Sequence, residues 1–209
     1  MFKVLAAVSA GVLFVSTASA DLVNPDIPTW RGDAGTGFAQ WDSFTSADGG
    51  ANAPEQGGGF NVFNFGPGAI IAGSGNLYGA GGPLNIHVYQ AGPPIFGLSE
   101  AVLNMSFAGN PINTDNVRAY VGSQASGTYV DGVAEFRGGG GSSFSPQTWA
   151  FTFDLTAFSG GMNALSFFFD SAGQSNSSLD ALSIDYNTIP APGALFAMGL
   201  LGVTRRRRG

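Results

Sequence analysis

The residues of this 209-residue chain that could do chemistry are one imidazole, a set of carboxylates and a few tryptophans. His87, the only histidine, lies in Leu84-Asn85-Ile86-His87-Val88-Tyr89. It alternates with Ile86 and Val88, which points it to solvent on a strand. A catalytic imidazole needs a nucleophile and an orienting carboxylate, and no Gly-x-Ser-x-Gly elbow supplies the first. Glycosidic hydrolysis needs only two carboxylates. Glu55 in a Gly-rich loop and Glu135 on a strand are one such pair, without a motif to single them out. Calcium takes hard oxygen ligands from carboxylates and loop carbonyls. Asp170, Asp180 and Asp185 fall at or near strand ends, with Asn176 and Ser177 in the loop between. They are the candidate set for a structural calcium, against the alternative of ordinary turn chemistry. Among Trp30, Trp41 and Trp149, the last belongs to an apolar strand face. Trp41 is opposite in phase to Phe38 and Phe44, which makes it the candidate for stacking on a sugar ring.

The elements that must position these groups are strands. Gly, Ser, Asn and Asp interrupt the chain every eight to twelve residues, and short period-two runs lie between them. Gln147–Leu155 alternates Trp149, Phe151, Phe153 and Leu155 with Thr148, Ala150, Thr152 and Asp154. In Leu179–Tyr186 the set Asp180, Leu182, Ile184 and Tyr186 supplies the core face. Ala164–Asp170, with Phe167-Phe168-Phe169, reads as a more central strand. Further strands are expected at Phe38–Phe44, Gly59–Phe65, Asn76–Tyr78, Leu84–Gln90, Ala101–Phe107, Asn116–Val121 and Tyr129–Phe136. The sum is an all-β, antiparallel β-sandwich of about ten strands. Asp48–Gly59 and Gly138–Ser145 read as flexible Gly-rich loops. The last three strands resemble the end of jelly-roll, carbohydrate-binding-like domains of exported surface proteins.

Both ends read as targeting segments. Lys3, the apolar stretch Val4–Val15 and the small-x-small site Ala18-Ser19-Ala20 make residues 1–20 a secretory signal peptide, a helix removed by signal peptidase. Residues 190–209 run Pro190-Ala191-Pro192-Gly193, an apolar stretch Ala194–Val203, then Thr204, Arg205, Arg206, Arg207, Arg208 and Gly209. A helix over Pro192–Thr204 would be roughly 20 Å long at ~1.5 Å per residue, against a bilayer core of ~30 Å. That is a thin span, suited to transient retention. Basic clusters stay on the cytoplasmic side, so the precursor is expected as a hairpin with both ends inside and residues 21–189 outside.

This tripartite tail resembles the PEP-CTERM sorting signal of bacterial surface proteins. The resemblance covers about twenty residues, with Ala191 where the family has glutamate. It implies a membrane-embedded, exosortase-type sorting enzyme as partner, cleavage near the proline motif, and delivery to the cell surface or extracellular matrix.

The segment between the two ends, residues 21–189, has no lysine or cysteine. Its three arginines, Arg31, Arg118 and Arg137, face all fourteen carboxylates, a net charge of −11. Phosphate recognition needs cations, so nucleic acid is excluded as a partner. Disulfides, Cys-zinc sites and cysteine nucleophiles are excluded by composition. The expected function is that of a non-catalytic structural or adhesive protein within an exopolysaccharide layer. A carbohydrate-binding module is the alternative, and a secreted polysaccharide hydrolase is the third reading.

Overall fold

The computed structural model describes residues 22–122, 127–142 and 144–189. The signal segment with Ala18 and Ala20, and the sorting segment from Pro190 to Arg208, lie outside the described residues, as do the two terminal helices expected there.

The alternating runs form strands in chain order. They are β1 (Gly37–Trp41), β2 (Gln56–Gly57), β3 (Phe60–Asn64), β4 (Ile70–Ile71), β5 (Leu77–Tyr78), β6 (Asn85–Gln90), β7 (Ile95–Phe96) and β8 (Leu98–Gly109). There follow β9 (Arg118–Val121), β10 (Tyr129–Asp131), β11 (Val133–Gly139), β12 (Gln147–Asp154), β13 (Met162–Asn163), β14 (Leu165–Asp170) and β15 (Ser177–Thr188). Every pairing is antiparallel.

Two sheets make a β-sandwich. The larger runs β11-β12-β8-β15-β1-β2, with β5 also on β15 and β4 on β5. The smaller runs β10-β9-β14-β6-β3, and β13 pairs β7 apart from both. The chain passes between the two sheets repeatedly. Inward side chains of both sheets form one core, with Phe153 and Phe167 rings 5.4 Å apart and Phe107 and Phe169 rings 6.0 Å apart. Among the described residues no helix is long and apolar enough to cross a membrane.

Three details depart from simple alternation. The expected strand Tyr129–Phe136 is two strands on opposite sheets, hinged at Gly132. A Cβ there would lie 2.9 Å from the buried Phe153 ring, so only glycine lets the chain turn this corner. In β15 the register slips between Leu179 and Ala181, so Asp180 is the extra residue of a β-bulge. The bulge moves Leu179 into the core beside Leu182 and Ile184, and takes Asp180 off the core face assigned to it by strict alternation. Lastly, Asp48–Gly59 is a pinned loop. Asn52 is buried, accepts from the Thr45 and Ser46 amides at Oδ1, and donates from Nδ2 to the carbonyls of Ser46 and Val62. Gly138 and Gly139, expected in a loop, belong to β11.

The outer face of the larger sheet carries the polar residues that alternation assigned to solvent, yet Asn104, Ser106, Thr148, Ser183 and Asp185 are buried. Residues 22–36 lie across them as a strap. The Val23 amide donates to Thr148 Oγ1 (2.7 Å), and Asp26 and Asn104 exchange two hydrogen bonds through main chain and side chain. Trp30 Nε1 donates to Glu100 Oε2 (3.0 Å), and Arg31 pairs with Asp185 through both nitrogens of its fork. Buried polar groups must be hydrogen-bonded to be tolerated, and the strap supplies partners to Thr148, Asn104 and Asp185, while Asn104 in turn donates to Ser183 Oγ.

Candidate functional site

The outer face of the smaller sheet is the feature with chemical character. The Phe167-Phe168-Phe169 run explains how it arises. Neighbouring side chains on a strand point to opposite faces, so three consecutive phenylalanines cannot all be core. Phe167 and Phe169 are buried and Phe168 points outward. The same phase sends Asn85, His87 and Tyr89 of β6 outward, along with Asn61 and Phe63 of β3.

Pairing aligns these residues into two rows across all five strands. One row is Asp131, Arg118, Phe168, His87 and Phe63; the other is Tyr129, Tyr120, Ser166, Tyr89 and Asn61. Four strand spacings make each row roughly 19 Å long. Phe65, 48% exposed, extends the ring cluster past the end of β3.

The rings touch one another. His87 lies edge-on to Phe65 and to Phe168, each at 5.0 Å, and Phe63 is 5.7 Å from Tyr89. Tyr120 and Tyr129 form a second pair at 5.7 Å, with the Arg118 guanidinium 4.4 Å over the Tyr129 ring. Polar groups sit between them. His87 Nε2 lies 2.8 Å from Asn85 Oδ1 and donates to it, and His87 Nδ1 lies 3.0 Å from the Tyr89 hydroxyl, which can accept from or donate to the ring. Partial burial pushes the Tyr89 hydroxyl above its usual value, so it remains a neutral donor and acceptor. Arg118 is paired with Asp131 at 3.0 Å, which leaves the face without a net cationic patch. His87 thus engages both ring nitrogens in holding the platform together.

The residues singled out from the sequence fall elsewhere. Trp41 is 0% exposed: its phase is shared with Ala39, facing Leu182 and Ile184 inside the sandwich, and its Nε1 donates to the Asn52 carbonyl (3.0 Å). It has no free ring face for a sugar. Phe38, in the opposite phase, is the outward ring, with Arg31 5.3 Å above it.

The three candidate calcium ligands do not converge. Asp170 ends a strand of the smaller sheet and accepts from Asn116 Nδ2 (2.6 Å) and the Ala172 amide (2.7 Å). Asp180 and Asp185 belong to the larger sheet, roughly 15 Å apart along β15. Asp180 accepts from Asn76 and Asp185 from Arg31. Among the described residues no three carboxylate or imidazole groups gather at metal-binding distance.

Glu55 and Glu135 also stand apart. Glu135 is in β11 at one edge of the larger sheet, and Glu55 precedes β2 at the other. Five strand spacings separate them by roughly 24 Å, well beyond the ~5–9.5 Å of paired glycosidase carboxylates. Glu135 bonds Arg137, and Glu55 accepts from the Asp42 and Ser43 amides.

Comparison with protein-family models, with curated proteins and with solved structures finds no match for this chain. The aromatic face is therefore read from its own chemistry. Its rings offer apolar area to C–H-rich surfaces, and its amides and hydroxyls offer uncharged donors and acceptors between them.

Proposed function

We propose that this chain is an exported, non-catalytic, adhesive protein of the cell surface or extracellular matrix that binds neutral polysaccharide on the outer face of its smaller sheet. The observation carrying the reading is the pair of five-residue rows, in which Phe, Tyr and His rings share one face with the Ser166 hydroxyl, the Asn61 amide and the Arg118–Asp131 ion pair. A sugar ring has an apolar C–H face and a rim of hydroxyls, and such a surface complements both. A row roughly 19 Å long suits an extended chain of several sugar units. The net charge of −11 over residues 21–189 disfavours acidic polymers as ligands.

Delivery belongs to the same proposal. Residues 1–20 direct export. The Pro190-to-Arg208 tail resembles an exosortase-read sorting signal and supports transient membrane retention before release to the surface. Intact mass and cell fraction of the mature protein test this arm. Loss of the residues after about Pro192 with retention at the surface is the expected result, and a full-length C-terminus in the inner membrane overturns it.

The binding arm is tested by calorimetric titration with a panel of soluble neutral glucans, xylans and mannans. Phe168→Ala and Tyr89→Ala are each expected to weaken binding about tenfold, or ~1.4 kcal/mol. Equal affinity of the wild type and the double variant for every bound glycan removes the reading.

A further inference from the structure

We propose that the open end of the sandwich holds a second site, for a short neutral oligosaccharide, with Trp149 as its stacking surface. This site carries its own case, since none of its residues belongs to the outer face of the smaller sheet.

Trp149 shares the inward phase of Phe151 and Phe153, which are fully buried. Trp149 keeps exposed surface, and its ladder neighbour Phe136 is 50% exposed with its ring 5.2 Å away. The cover supplied by the facing sheet ends at this corner. The space left is a cleft of about 690 Å³, within the ~300–1,000 Å³ typical of small-ligand sites. Phe107 and Ile112 continue its apolar floor, and Asn110, Thr114 and Gln147 supply polar wall.

The lining defines the ligand class. Among the described residues none that lines the cleft carries a charge, so an ionic ligand would lose its hydration without a counter-charge in return. The Thr114 hydroxyl and the Gln147 amide make no side-chain hydrogen bond among the described residues. Asn110 donates from Nδ2 to the Ser175 carbonyl (2.7 Å), leaving Oδ1 as an acceptor. An apolar floor under several uncharged donors and acceptors fits a molecule with one apolar face and many hydroxyls, which is a saccharide.

Length follows from the neighbouring space. A second cleft of about 610 Å³ adjoins the first at Gly109 and Asn110, and the described residues that line it are uncharged too, among them Tyr78, Asn76 and Phe144. Phe144 is 89% exposed at the tip of the β11–β12 hairpin. Of the hairpin's four successive glycines, Gly138–Gly141, with φ of +135°, +88°, +83° and +105°, Gly141 lines the first cleft. Side-chain-bearing residues rarely adopt such angles, so at Gly141 the wall presents backbone to the cleft. Two adjoining clefts take an oligosaccharide of more than one unit. With the aromatic face as a first contact, the protein would bridge two glycan chains.

The test is a titration of the isotope-labelled protein with millimolar neutral tetrasaccharides drawn from glucan, xylan and mannan. The indole N–H of Trp149 and the side-chain amides of Gln147 and Asn110 are followed by NMR. Saturable shifts at all three are expected, retained in Phe168→Ala/Tyr89→Ala, and the shift of the Asn110 amide, the reporter that survives, is expected to be abolished in Gln147→Ala/Trp149→Phe. Shifts confined to Tyr89, His87 and their neighbours overturn the second site and leave the outer face standing. Shifts confined to the cleft do the reverse. No shift at Trp149 with any of the sugars also overturns the second site, whatever the variants do.

Discussion

Arg31 and Asp185, 154 residues apart, form a two-point ion pair on the covered outer face of the larger sheet, with Nη2 2.5 Å from Oδ2. Asp185 is wholly buried and Arg31 is largely so. Burial pushes the Asp185 carboxyl above its usual value, and the Arg31 guanidinium pulls it only part of the way back. The strap over residues 22–36 is therefore clamped at a group whose charge is sustained by one partner.

Removing that partner isolates the charge. Arg31→Ala is expected to cost about 3 kcal/mol at neutral pH, the usual scale for breaking a buried pair. The sign with pH follows from the raised folded-state value. Between the ordinary carboxylate value of 3.8 and that raised value, the folded state holds a proton that the unfolded state has released. Stability from this group is thus greatest at low pH and falls as pH rises through the window. Arg31→Ala widens the window upward, so its deficit shrinks as pH is lowered. Urea unfolding of both proteins from pH 4 to 8 checks this, and a deficit independent of pH contradicts it.

Trp41→Ala separates core from site. Loss of a fully buried indole is expected to cost about 3–5 kcal/mol, with glycan affinity unchanged in whatever fraction remains folded. Thermal unfolding and titration at low temperature measure the two effects separately.

Gly132→Ala is expected to destabilise by about 1–3 kcal/mol through overpacking against Phe153. Denaturant midpoints give the value. An unchanged midpoint would show that the corner between β10 and β11 has slack.

Binding on the aromatic face should be nearly independent of ionic strength, because its one guanidinium is already paired with Asp131 and screening acts on charges. Titrations at low and high salt test this. A steep fall in affinity with salt would point to an anionic ligand instead.

Calcium should leave the melting temperature unchanged. Asp170, Asp180 and Asp185 are each committed to a separate amide or guanidinium partner. Scanning calorimetry in chelator and in millimolar calcium measures it.

Period-two alternation is a local property of sequence, and it located nine of the ten strands expected here, including the core phases of Gln147–Leu155 and most of Leu179–Tyr186; the tenth, Tyr129–Phe136, is split at Gly132 between the two sheets. Composition was equally direct: without cysteine between the two targeting-like ends thiol chemistry had no residues to use, and the cations there are three arginines against fourteen carboxylates. Alternation names two faces and leaves open which is covered. Alternation made Trp41 the outward candidate, and the pairing that sets Trp41 and Ala39 beside Leu182 and Ile184 turns the indole inward instead, leaving Phe38 outside. The Asp180 bulge and the Gly132 corner each change phase by a single residue, and one residue is enough to exchange the faces. The strap's cover over Asn104 and Asp185, the alignment of Phe168 with His87 and Phe63, and the cleft beside Trp149 all depend on which strands become neighbours. Those contacts join residues tens to more than a hundred positions apart. The sequence thus determined where the strands lie and which chemistries were closed to them; the tertiary structure decided which face is buried and which rings share a surface, because packing between distant strands sets both.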